Sequence, residues 1–320
     1  MTSLLHSTVL LEGITHIEDL PLKEFIRTVE SLKDKIVTEK LDGSNLWFGL
    51  DDVGVFTSRE GKSPKANRFY SVDDYAMVAN YNGFRAAHLA VEQIESDIRE
   101  HLQEGDMVEM EVLFGRQPNT VTYGVSNKNF IVILRGVNGT PDERVNALSD
   151  AINNKKVTVE STVVSSPDGE SIEHVDEKMV WEFTQVKPIE SKSIDTSEAS
   201  TLLKALKKFI AAPNETFPDK SNEEVSVLSL TSIPKDKREE AKIARDTVND
   251  RLMNDFKNPI KELLLNRLVR KIKPFLQADD LHPSEDIGVE GVVVRDPVTG
   301  SQTKIVDKDV FTAINTFNSA

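Results

Sequence analysis

The chain has 320 residues, 39 Lys or Arg against 53 Asp or Glu for a formal charge of −14, and no cysteine. That excludes disulfide scaffolds, thiolate zinc sites and cysteine nucleophiles, while the length accommodates one large domain or two ordinary ones. No apolar run approaches the roughly 20 residues of a membrane helix, and Met1 to Gly13 lacks the order of a secretory signal, so a soluble, cytoplasmic protein without a membrane partner is expected.

In chain order, Leu22, Phe25, Ile26, Val29 and Leu32 form one stripe and predict a helix from Pro21 to Lys33. Strands are expected at Ile36 to Lys40, Leu46 to Leu50 and Val53 to Ser58. Ala87, Val91, Ile94, Ile98 and Leu102 predict one long helix from Phe84 to Leu102, ended by Gly105. Strands at Met107 to Phe114 and Asn129 to Val137 enclose a polar connection with a Pro118-Asn119 turn. Thr140-Pro141-Asp142-Glu143 has the form of a capping box opening a short helix. Lys156 to Pro188 reads as two hairpin strands around Pro167-Asp168-Gly169.

From Ser197 to Lys273 the pattern turns helical. Leu202, Leu206, Phe209 and Ile210 mark one helix, and Ile260, Leu263, Leu264, Leu268 and Ile272 another that Asn258-Pro259 would open. Residues 214 to 234, with two prolines, read as a loop. Gly288 to Arg295 and Gln302 to Val306 return to strands. From Lys235 to Lys273 twelve basic residues face seven acidic ones, a local +5 that leaves −19 elsewhere, so this stretch is the candidate for contact with a phosphate backbone. The six histidines are scattered, with no i, i+4 pair to grip a metal.

The stretch that carries chemistry is Thr38-Glu39-Lys40-Leu41-Asp42-Gly43-Ser44-Asn45. Lysine attacks only as the free amine, and partial burial or nearby positive charge favours that form. Gly43 would let backbone approach a bound nucleotide. Alone, Lys-x-Asp-Gly is common in surface turns. Here it is followed, in order, by Ser58-Arg59-Glu60-Gly61, by Glu109-Met110-Glu111 before Phe114-Gly115, by Glu290-Gly291-Val292-Val293-Val294, and by Thr303-Lys304-Ile305-Val306.

This ordered set resembles the covalent nucleotidyltransferase superfamily of ATP-dependent ligases and mRNA capping enzymes, over about Val37 to Asp307. The resemblance implies Lys40 as the nucleophile that carries AMP, Glu39 at the adenine, and Asn45 as the last residue of the Lys-x-Asp-Gly-x-Asn motif in the nucleotide site. It implies Arg59 on the ribose and the nucleic-acid end, Glu111 on ribose or metal, Glu290 on metal, and Lys304 on the α-phosphate. ATP and Mg²⁺, with Mn²⁺ as an alternative ion, are the implied cofactors. Three positions depart from the pattern: Val306 replaces the second lysine of Lys-x-Lys, with Lys308 the nearby substitute. Ile133, or else Phe130, stands where an aromatic ring usually stacks on adenine. The helical stretch lies between the motifs rather than after them.

The fold implied is α+β: a nucleotidyltransferase domain of the ATP-grasp-like ligase adenylylation kind, with antiparallel-rich sheets and an inserted helical module. Its parts would be residues 1–195, a helical insertion at 196–280, and last strands at 281–320. Sixteen residues follow Lys304, too few for the OB domain of DNA ligases and capping enzymes. The expectation is therefore an ATP-dependent RNA ligase of the phage type that joins 5′-phosphate to 3′-hydroxyl ends. A minimal DNA ligase and a nucleotide-binding or structural relative without turnover are the alternatives, and the oligomeric state stays open.

Overall fold

The computed structural model describes residues 14–59, 67–77, 82–114, 129–165, 173–189, 191–272 and 290–306. In chain order the elements are β1 (Thr15–His16), α1 (Leu22–Glu30), β2 (Ile36–Lys40), β3 (Ser44–Leu50), β4 (Val55–Ser58), α2 (Asn82–Glu92), α3 (Glu95–His101), β5 (Met107–Leu113) and β6 (Asn129–Val137). They continue with α4 (Asp142–Ile152), β7 (Lys156–Ser165), β8 (Glu173–Gln185), α5 (Ser197–Ala211), α6 (Asn222–Ser226), α7 (Arg238–Arg251), α8 (Asn258–Val269), β9 (Gly291–Arg295) and β10 (Gln302–Val306). The fold is mixed α/β. A four-stranded sheet runs β1-β10-β9-β2 and a six-stranded sheet β4-β3-β5-β6-β8-β7, antiparallel except for the β1–β10 and β6–β8 pairs.

Period-two alternation gives the six-stranded sheet two different faces. Leu46 and Phe48 of β3, Val108, Met110 and Val112 of β5, and Ile131 and Ile133 of β6 join one core with α2, α3 and α4. Asn45, Trp47, Glu109 and Glu111 fall on the opposite face by the same alternation. Between Glu109 and Met110 the register with β6 slips, so Arg135 and Ile133 face consecutive residues and Leu134 is the extra residue of a bulge. The four-stranded sheet buries Val37, Val292, Val294 and Ile305 in a second core with Phe25, Leu203, Leu206, Leu264 and Leu268. Helices α5, α7 and α8 thus cover the back of the sheet that carries Lys40.

Several expectations need correction. The long helix from Phe84 to Leu102 is two helices. At Gln93 and Ile94 the chain tightens, Ile94 N–H bonding to Val91 O at 3.0 Å, yet Val91, Ile94, Ile98 and Leu102 stay buried across the break. The capping box at Thr140 does not form, because the buried Thr140 hydroxyl instead accepts from the N–H of Met107, 2.8 Å away, and Pro141 is the cap residue. A true capping box sits at Ser221 and Glu224, within the stretch read as loop, and opens α6.

Asn258-Pro259 does not open a separate helix: α7 and α8 are continuous through a wide turn at Leu252–Lys257. Proline brings no N–H for the carbonyl four residues before it, and the widened turn just upstream accommodates that loss. The Pro118-Asn119 and Pro167-Asp168-Gly169 turns lie outside the described residues. Of the histidines, His88 is buried, its ring 2.9 Å from Thr57 Oγ1, and burial pushes its pKa down to about 4, so it packs as a neutral ring. Among the described residues no helix is long and apolar enough to cross a membrane.

The basic stretch is also less available than its composition suggests. Lys257 is buried, donating to the carbonyls of Glu18 and Leu20 at 2.9 and 2.7 Å, and Lys261 pairs with Glu18 at 3.6 Å. These cations tie α8 and the turn before it to the segment after β1. Arg245, Arg251 and Arg267 pair with Asp246, Asp255 and Glu198, which leaves Lys235, Lys237, Lys242, Arg270 and Lys271 among the exposed basic groups.

Candidate active site

Lys40 ends β2 opposite Gly291 of β9, so the residue before Gly291 meets the lysine side chain across the ladder. The Lys40 ammonium donates to Glu290 Oε2, although 250 positions separate the two, and lies 3.4 Å from Leu41 O. Both side chains are mostly covered, at 21% and 11% exposure. Lys304 sits on β10 in register with Val293 and His16, and alternation sends it away from the buried Thr303 and Ile305. Its charge bears on Glu290.

Gly43 N–H donates to Glu111 Oε1 at 3.0 Å. A Cβ at Gly43 would stand 2.6 Å from Glu111 Cγ and 2.8 Å from Val112 O, so the glycine is needed for the chain to pass close to β5. The close approach that Gly43 permits in this structure is to β5. Burial is the main reason that Glu111 is pushed up to about 7, with Lys40 opposing and Glu109 and Glu290 adding to the rise. Burial likewise raises Glu290, against the pull of Lys40.

The raised value makes a stability prediction. Glu111 holds its proton more firmly folded than unfolded, so its contribution is present below about pH 4.5 and is lost as pH rises through about 7. The loss is about 3 kcal/mol. Glu111→Gln keeps an acceptor for Gly43 and cannot ionise. Urea unfolding in EDTA should show the variant gaining on the wild type by up to that amount between pH 4.5 and 8. Parallel stability curves would refute the burial argument.

Asn45 Nδ2 donates to Glu109 Oε1 at 3.0 Å, and Arg135 Nε donates to the other oxygen at 2.7 Å. The Arg59 guanidinium donates to Asn45 O and lies 4.0 Å over the Phe84 ring. Between the two sheets is a cavity of about 570 Å³, bordered by Lys40, Asn45 and Glu111, by Trp47, Glu109, Leu134 and Arg135, and by Thr38, Val293 and Arg295 of the other sheet. Glu39 borders it too, but alternation along β2 turns its side chain to the Val37 face, opposite Lys40. An adenine contact from Glu39 would therefore run through its backbone.

Of the seven residues singled out from sequence, Lys40, Glu290, Glu111 and Lys304 are linked by a hydrogen bond or by charge, and Arg59 and Asn45 bond to each other and meet that group through Glu109. Neither Ile133 nor Phe130 borders the cavity: Ile133 is in the core beneath α2, and Phe130 packs on Leu41, Leu113 and Val132. Leu134, on the Phe130 and Val132 face of β6, borders the cavity in their place. Val306, at the expected second lysine, is 4% exposed, and Lys308 lies outside the described residues. Trp47, Glu109 and Arg135 were missed, although alternation from Asn45 would have found Trp47. Comparison with family models, curated proteins and solved structures returned no match.

Proposed function

We propose that this protein is an ATP-dependent nucleotidyltransferase that takes AMP onto Lys40 and passes it to the 5′-phosphate of an RNA, where a 3′-hydroxyl displaces it and seals the strand. The observation that carries the reading is the meeting of Lys40 and Glu290, with Glu111 coupled by charge to both and Lys304 acting on Glu290, beside a cavity large enough for a nucleotide. The lysine and carboxylates came from motifs far apart in sequence, and an unrelated surface turn would have no reason to gather them.

In this reading the Lys40 ammonium first loses its proton, and its nitrogen attacks the α-phosphorus of ATP. A P–N bond forms as the bond to pyrophosphate breaks. Lys304 is a cation on the same side of the sheet that would balance charge that builds on the phosphoryl oxygens. Glu290 and Glu111 would hold Mg²⁺, which supplies positive charge at the phosphates. They fit that use, since both are buried carboxylates whose ionised forms lack sufficient compensation. Among the described residues no three acidic or histidine side chains gather as a metal cluster, but Mg²⁺ commonly takes one or two carboxylates with phosphates and water. The exposed cations of α7 and of the end of α8 are candidates for the RNA backbone.

The test is intact-protein mass spectrometry after incubation with ATP and Mg²⁺. A gain of one AMP, mapped by digestion to Lys40, is expected, with release of one pyrophosphate. ATP binding without either product would favour the alternative of a relative without turnover, for which the buried Val306 is the supporting observation. Competition between nicked RNA and nicked DNA then assigns the acceptor.

A further inference from the structure

Trp47 has an indole N–H without an acceptor, although the residue is only 8% exposed and borders the cavity. A buried donor left open costs stability unless something fills it. The carboxylate opposite Trp47 in the ladder, Glu109, has one oxygen engaged by Asn45 and the other by Arg135. Two residues before Trp47, on the same face, Asn45 has its amide nitrogen committed to Glu109, which leaves its Oδ1 as a buried acceptor that is also open. One donor and one acceptor, neither with a partner, thus lie on the same face of β3 in two residues that border the cavity.

The surrounding walls say what fits between them. Leu134 from the bulge and Val293 from the opposite sheet bring apolar surface from the two sides of the cavity, as a flat ring requires. Trp181 is the useful contrast: its N–H is open too, but it is fully buried in the helix-covered core and not at the cavity. Its open donor is a packing cost, with no space for a ligand.

We propose that Trp47 and Asn45 read the nucleobase and select adenine over guanine. The indole N–H donates to the ring nitrogen N1, and Asn45 Oδ1 accepts from the neighbouring exocyclic amine. Guanine presents the reverse order along that edge, a donor at N1 beside a carbonyl oxygen, and would set donor against donor and acceptor against acceptor. The inference rests on the nucleotide reading of the cavity but not on turnover at Lys40.

Calorimetric titration tests it with ATP, 1-deaza-ATP, inosine triphosphate and 2′-deoxy-ATP. The wild type should bind 1-deaza-ATP about tenfold more weakly than ATP, as one lost hydrogen bond implies, and inosine triphosphate more weakly still. Trp47→Phe, which keeps a ring and removes the donor, should bind ATP and 1-deaza-ATP equally. Equal wild-type affinity for ATP and 1-deaza-ATP, a result that needs no variant, overturns the proposal. So does a Trp47→Phe protein that keeps the discrimination. If 2′-deoxy-ATP is instead the analogue whose penalty Trp47→Phe removes, the donor serves the sugar and the base assignment falls. Tight, selective ATP binding with no AMP adduct would refute catalysis while leaving this proposal standing.

Discussion

Lys40→Ala is expected to lose covalent AMP labelling by about a thousandfold or more, the scale seen when a covalent nucleophile is removed. Alanine has no nitrogen to form the P–N bond. The substitution has a second effect that must be separated from the first. It leaves Glu111 without the cation that opposes its burial and Glu290 with Lys304 alone, so stability at pH 8 should fall by about 1–3 kcal/mol. Lys40→Arg resolves the two: arginine keeps a positive charge for Glu290 but stays protonated and cannot attack. Wild-type melting with no labelling is the result expected of Lys40→Arg. Hydroxylamine-sensitive label persisting on either variant would move the nucleophile elsewhere.

Much of this site was legible because its chemistry is tied to strand ends. Lys40 and Glu290 occupy neighbouring ladder positions, and the runs Ile36 to Lys40 and Gly291 to Arg295 announce their strands by composition alone. Residues 129–137 and 302–306 were likewise recovered with the bounds that the structure gives. Ile133 was placed at the cavity by motif resemblance, whereas alternation with Phe130 and Val132 gives Leu134; Arg135 joins the same face only through the bulge, which alternation does not reveal. Nor does composition show direction. Lys257 and Lys261 look like part of a solvated basic face, yet both are buried against the segment after β1, because carbonyls and a carboxylate distant in sequence meet them there. The same blindness hid the helix break at Gln93. The apolar stripe continues through it unbroken, so periodicity had nothing to report.

Gly291→Ala should be the most damaging substitution that removes no functional group. Gly291 lies on β9 between Lys40 of β2 and Val306 of β10, with φ at +155°, and a Cβ there would stand 2.3 Å from Ile305 O and 2.6 Å from Val306 Cγ1. The nearest atom is a backbone oxygen within a sheet, which cannot swing aside as a side-chain end could. Either β9 separates from β10 or the peptide before residue 291 rotates, and both carry Glu290 away from Lys40. The expected cost is about 2–4 kcal/mol from overpacking and backbone strain together. Adenylylation should fall by about a hundredfold, the scale of a 1 Å misplacement at a reacting centre. Gly300→Ala is the control, because Gly300 also has positive φ, at +69°, but nothing lies within 4 Å of its Cβ. It should lose about 1 kcal/mol through strain alone and adenylylate normally. If Gly291→Ala melts and labels like Gly300→Ala, the close approach of β9 and β10 does not set the position of Glu290, and the glycine after that carboxylate needs another explanation.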